Sequence, residues 1–207
     1  MKDLIILVAD KNAQFCLRGG LARHQSIGIR PIEIEFRVHP ERDGGARKNG
    51  VSLLAIERGR FANAVLMFDF EGSGASHADA LSLEEDLDRE LVKTWGATAK
   101  AIVLDPEVDS WVWGSDNSLA QCLNWAEPLP IRRWIEDQGF KLDANGKPVR
   151  PKEAIESVLR KQRMPRSSAI YEKITSNVSI SRCVDPAALR LRNWLVSRFP
   201  KDEQQRS

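Results

Sequence analysis

Cysteine is scarce and scattered: Cys16, Cys122 and Cys183 are the only three in 207 residues. They form no CxxC pair, which excludes a thiolate metal knuckle, and no paired spacing suggests a disulfide framework. Their apolar surroundings mark them as reduced core residues of a cytoplasmic protein. Long hydrophobic runs are also missing. The run Leu4 to Val8 is soon interrupted by Asp10, and no stretch approaches the roughly 20 apolar residues a bilayer span needs, so neither a signal peptide nor a membrane partner is expected. No GxGxG turn follows that run, which argues against a methyltransferase-type nucleotide loop. No internal repeat is visible, and the only low-complexity segment is the polar tail 201–207, expected to fray.

What is present is a globular composition, 42% hydrophobic and 29% charged, which excludes disorder and collagen-like structure. The 31 basic and 29 acidic residues sum to +2, but the total is a cancellation. Residues 1–128 carry 14 Lys/Arg against 20 Asp/Glu, and residues 129–207 carry 17 against 9. An acidic front and a basic back point to nucleic acid or a charged protein partner, although a solvated helical surface gives the same sum.

Leu4 to Ala9 is continuously apolar and ends in Asp10, the pattern of a parallel strand buried on both faces. Phe15, Leu17, Leu21 and Ala22 then recur at helical spacing up to Gly28 and Pro31. Ile32 to Val38 alternates as a strand with one wet face and stops at His39-Pro40. The stretch Glu41 to Gly45 reads as a polar loop before a helix ending near Gly59. Ala64 to Phe68 is a second continuous apolar strand, ending at Asp69; Ser82 opens a capped helix running to about Trp95; Ala101 to Leu104 is the last strand. Alternating strands and helices predict a layered α/β domain over 1–128 with a mostly parallel sheet. Beyond Pro106 the pattern becomes helical and broken by prolines, giving a basic helical region over 129–200 packed on that domain, then the flexible tail 201–207.

Carboxylates follow three of the strands: Asp10; Asp69 and Glu71; and Asp105, Glu107 and Asp109. Ligands of open α/β sheets bind outside the carboxyl ends of the strands, so these acids are expected to converge on one crevice. Alternation puts Asp69 and Glu71 on the same side of an extended chain. Clustered carboxylates repel unless a divalent cation sits between them, and an all-oxygen set suits Mg²⁺ or Mn²⁺. Each acid taken singly is also an ordinary helix cap or turn residue. His39, at the end of the second strand, is the candidate proton shuttle or ligand, with Gly44-Gly45 offering backbone N–H groups to a phosphate; as a lone histidine it reads equally as a bonded turn residue.

The basic half supplies candidate nucleic-acid contacts in Lys152, Arg160, Arg163 and Arg166, which share parts of one helical face until Pro165 interrupts it. Lys11 adds a cation beside the acids. Trp111, Trp113, Trp125 and Trp134 read either as a base-stacking platform or as core anchors. Ser167-Ser168 reads as a helix cap.

Taken together, Asp10-Lys11-Asn12, His39-Pro-Glu-Arg-Asp43, Met67-Phe-Asp-Phe-Glu-Gly72, Asp105 to Trp113, Arg150-Pro-Lys-Glu-Ala154 and Pro165 to Tyr171 resemble a protein of bacterial methylation-associated defence systems. More distantly they are similar to Toprim-like phage-defence families. That resemblance implies a Toprim-like, Rossmann-like α/β fold and Mg²⁺-dependent phosphodiester chemistry, with the metal held by Asp10, Asp69 and Glu71 and with His39 assisting. The Toprim pattern has Glu where Asp10 stands and Asp where Glu71 stands, so charge is kept and reach is changed. Pro106, Glu107 and Trp111 match a Pro-Glu-x-x-x-Trp element of the distant families. Two functions are therefore expected in such an anti-phage, restriction-like system: a metal-dependent nuclease or phosphoryl-transfer subunit, or a non-catalytic scaffold that binds DNA, RNA or other proteins of the system through the basic helices.

Overall fold

In a computed structural model, residues 1–177 and 183–201 are described, and the expected tail lies outside them beyond Lys201. Four strands, β1 (Lys2–Val8), β2 (Ile34–Val38), β3 (Phe61–Asp69) and β4 (Ala99–Leu104), form one all-parallel sheet in the order β2-β1-β3-β4. The continuous apolar runs of β1 and β3 follow from burial on both faces. Leu4, Ile6 and Val8 enter one core while Ile5 and Leu7 enter another, and Val65 and Met67 divide from Leu66 and Phe68 in the same way.

The helices make the outer layers. On one face, α3 (Arg42–Ile56) and α4 (Ala80–Trp95) cover Ile5, Leu66 and Val103 with Leu54, Leu83, Leu87 and Leu91. On the other lie α1 (Lys11–Leu21), the single turn α2 (His24–Ile27), a 3-10 segment over Val108–Gly114, and five further helices: α5 (Asp116–Cys122), α6 (Ile131–Asp137), α7 (Pro151–Lys161), α8 (Ser168–Asn177) and α9 (Pro186–Arg198). One core joins Leu4 and Leu17 to Trp113, Ile155, Tyr171 and Leu191. Prolines at the starts of α7 and α9 remove an N–H that the first helical turn would leave unpaired.

Three local expectations change. The stretch Glu41 to Gly45 is not a loop, because Arg42 already begins α3. The second strand starts at Ile34 rather than Ile32: the Asp3 carboxylate captures the Glu33 N–H at 2.9 Å and the Arg30 guanidinium, holding the chain before it joins the sheet. The helix expected from Ser82 begins at Ala80, with Asp79 as its cap accepting from the Ser82 N–H at 2.8 Å. Among the described residues no helix is long and apolar enough to cross a membrane.

Candidate functional site

The strand order reverses direction between β1 and β3: the chain steps outward from β1 to β2, then returns to the other side of β1. In an open parallel sheet such a switch point leaves a crevice outside the strand ends, since the loops on either side turn to opposite faces. Asp10 follows β1 and Asp69 ends β3, so both stand at that crevice. Asp10 caps α1, its Oδ1 accepting the Ala13 N–H at 2.8 Å. Asp69 Oδ1 accepts the Val108 N–H at 2.9 Å, and the Asp69 N–H donates to Asp43 Oδ1 at 2.9 Å. Three carboxylates are thus each anchored through one oxygen by a backbone amide. The second oxygens of Asp10 and Asp69 accept no hydrogen bond among the described residues.

These acids sit in one another's field. Burial pushes the Asp69 carboxyl well above the usual range, and the charges of Asp43, Asp10 and Glu107 push the same way. Asp43 is raised by burial, with Asp10 adding to it. Glu107 is pushed up to about 7, first by burial and then by Asp109, with Glu71 contributing, although its Oε1 accepts the Lys152 N–H at 3.2 Å. Asp109 is 3% exposed and raised by burial, against the opposing pull of Tyr171 and Arg166. Tyr171 donates to Asp109 and is itself held above its ordinary range by burial and that carboxylate, so it stays a donor.

Cations rim the same place. A cleft of about 480 Å³ is lined by Asp10, Lys11, His39, Arg42, Lys152 and Arg166 among others. Arg166 is held on three sides: Nε donates to the Tyr171 hydroxyl at 3.2 Å, Nη1 to Glu156 at 2.7 Å, and Nη2 lies 3.6 Å from Asp109. His39 is 4% exposed, and its Nδ1 accepts the Glu41 N–H at 3.1 Å. An accepting Nδ1 leaves the proton of the neutral ring on Nε2. The ring packs on Gly45, where a Cβ would stand 2.3 Å from its Cε1.

The cleft therefore gathers Asp10, Lys11, His39, Lys152 and Arg166 of the residues expected from sequence, and Asp69 lies in the field of Asp10. Glu71 is exposed, its N–H reaching the Pro106 carbonyl at 3.3 Å and its charge acting on Glu107. Arg160 and Arg163 are exposed, Arg160 lying 4.0 Å from Glu156 and Arg163 in the turn after α7. Trp111 and Trp113 are core residues, and Trp113 Nε1 donates to the Pro151 carbonyl at 3.2 Å. Trp125 and Trp134 pack edge to face, ring centroids 5.3 Å apart. Asp43 and Tyr171 were not read as site residues; their roles lie in contacts to Asp69 and Asp109 that no sequence spacing records.

Among the described residues, no group of three or more His, Cys, Asp or Glu side chains is clustered as a ready metal cage. Mg²⁺ does not require one, since it keeps several waters and takes one or two carboxylates together with substrate phosphate. The unengaged oxygens of Asp10 and Asp69 fit that requirement, and Asp43 stands beside them. Comparison with known proteins finds no family model, no curated protein and no solved structure that matches the chain.

Proposed function

We propose that the chain is a Toprim-like, divalent-metal-dependent nuclease or phosphoryl-transfer subunit of a bacterial methylation-associated defence system, working in the cytoplasm on DNA or RNA. The observation that carries the chemistry is the pairing at one switch point of amide-anchored carboxylates with a cationic wall. Asp10 and Asp69, with Asp43 beside them, would hold Mg²⁺ or Mn²⁺. A bound divalent cation polarises a phosphoryl oxygen and lowers the pKa of an attacking water. Lys11, Arg42, Lys152 and Arg166 would hold the phosphodiester by charge, and Arg166, fixed by Tyr171, Glu156 and Asp109, would do so with little ordering cost. His39, whose Nδ1 accepts the Glu41 N–H, would offer its Nε2–H as a hydrogen-bond donor to a phosphoryl oxygen at the cleft wall. The defence assignment is supported by the motif resemblance, and the cytoplasm by three free, buried cysteines.

The test is cleavage of single- and double-stranded DNA and RNA with Mg²⁺ or Mn²⁺, wild type against Asp69→Asn, with circular dichroism to confirm the fold. Cleavage that needs the metal and falls to background in the variant supports the reading. Cleavage unaffected by the substitution overturns it.

A second reading is favoured by one specific observation, that Asp109 and Glu156 engage Arg166 internally. It makes the chain a non-catalytic scaffold of the same system, binding nucleic acid or partner proteins. It predicts no metal-dependent turnover, and salt-sensitive nucleic-acid binding that fails when Lys152, Arg160 and Arg163 are reversed in charge.

A further inference from the structure

The two edges of the sheet are treated differently. Along β4 the outward backbone groups are taken by side chains: the Ala101 N–H donates to Asp88 at 2.7 Å, the Val103 N–H to Glu84 at 2.9 Å, and the Val103 carbonyl accepts from Arg190 at 3.1 Å. That edge is closed to another strand. Along β2, the Glu33 carbonyl and the His39 N–H face β1, which turns the backbone groups of the alternate residues Ile34, Phe36 and Val38 outward. Among the described residues nothing bonds them there. Beside this open edge lies a groove of about 400 Å³ with mixed walls, apolar at Leu21, Pro31, Ile34 and Phe36 and charged at Arg18 and Glu172. Val38 is 37% exposed.

We propose that β2 pairs antiparallel with β2 of a second copy of this chain, joining two four-stranded sheets into one. The occupant follows from self-complementarity. A two-fold axis at Phe36 sets Phe36 opposite Phe36 of the partner and Ile34 opposite the partner's Val38. These are the residues whose N–H and C=O groups point outward, so they fall on the hydrogen-bonded positions of an antiparallel ladder. The same register sets Glu35 opposite the partner's Arg37, and Arg37 opposite the partner's Glu35, so opposite charges meet twice across the axis. The side chains of Ile34, Phe36 and Val38 lie on the α1 face of the sheet, because their register partners Leu4, Ile6 and Val8 do. The partner's Phe36 is thereby carried over the groove. Any other register loses either the two-fold symmetry or the crossed Glu35–Arg37 pairs.

Sedimentation equilibrium of the full chain over a concentration series tests this, with amide hydrogen exchange as the local readout. The expected result is a dimer in which the Ile34, Phe36 and Val38 amides gain protection as concentration rises. Arg37→Glu places like charges at both crossed pairs and weakens the dimer by about tenfold. Glu35→Arg combined with Arg37→Glu restores opposite charges and recovers it. A monomer up to the solubility limit overturns the proposal, as does a dimer indifferent to Arg37→Glu or one that leaves those three amides unprotected. None of these outcomes depends on whether the strand-end cleft is catalytic.

Discussion

Glu107→Gln tests the electrostatic picture of the crevice directly. Glu107 is raised from an ordinary value near 4.5 to about 7, because the fold half-buries it beside Asp109 and Glu71. A carboxyl whose pKa is higher folded than unfolded holds its proton more tightly in the native state. Stability is therefore lost as pH rises from 4.5 toward 7, and the penalty is complete above 7. The full difference corresponds to about 3 kcal/mol; solvent around a half-exposed side chain screens it to about 1–2 kcal/mol. Glutamine keeps the Oε1 that accepts the Lys152 N–H and removes the charge. The variant is expected to gain about 1–2 kcal/mol at pH 8 and almost nothing at pH 4, measured by urea unfolding at both. At pH 8 that gain moves Tm up by roughly 2–8 °C for a chain of this size. Equal effects at the two pH values, or a loss at pH 8, would refute the reasoning that burial among like charges sets the behaviour of this group.

Other substitutions probe how the crevice is held. Titrating Mg²⁺ at pH 8 should raise the Tm of the wild type and leave that of Asp69→Asn nearly unmoved, since the ion relieves repulsion that the amide has already removed; differential scanning fluorimetry reads both. Tyr171→Phe strips a donor from buried Asp109, costing about 1.5–3 kcal/mol in chemical denaturation. Gly45→Ala sets a Cβ against the His39 ring and the Glu41 side chain and should cost about 1–3 kcal/mol, with a histidine ring resonance shift reporting the displaced imidazole. Arg190→Ala leaves the fully buried Glu84 without its bidentate partner, and with Lys100 still 3.0 Å away the expected loss is about 3 kcal/mol by thermal or urea melts.

The parallel α/β layering was legible because burial on both faces forces continuous apolar runs, and Leu4 to Ala9 and Ala64 to Phe68 are such runs ending at acids. The ends of strands are likewise local, so Asp10, His39 and Asp69 could be placed at one edge before any contact was known. The strand order was not legible. Nothing in the spacing of four strands says that β3 returns to the far side of β1, and that reversal alone makes the ends of β1 and β3 neighbours across a crevice. Contacts distant in sequence were equally hidden. The Asp43 to Asp69 bond spans 26 positions and the Tyr171 to Asp109 bond 62. Glu71 lies past the last residue of β3, exposed and with its N–H on the Pro106 carbonyl, so strand alternation alone does not fix where it sits. The basic residues divide for a similar reason. Pro165 lies between α7 and α8, so Arg166 turns into the cleft beside Lys152 while Arg160 and Arg163 remain on the outside. The sequence by itself determined which segments are buried, which ends carry charge and how that charge splits between the two halves, because those depend on neighbours along the chain. Only the tertiary structure decided which charges meet, because electrostatic coupling depends on distance through space, and the order of strands in the sheet sets that distance.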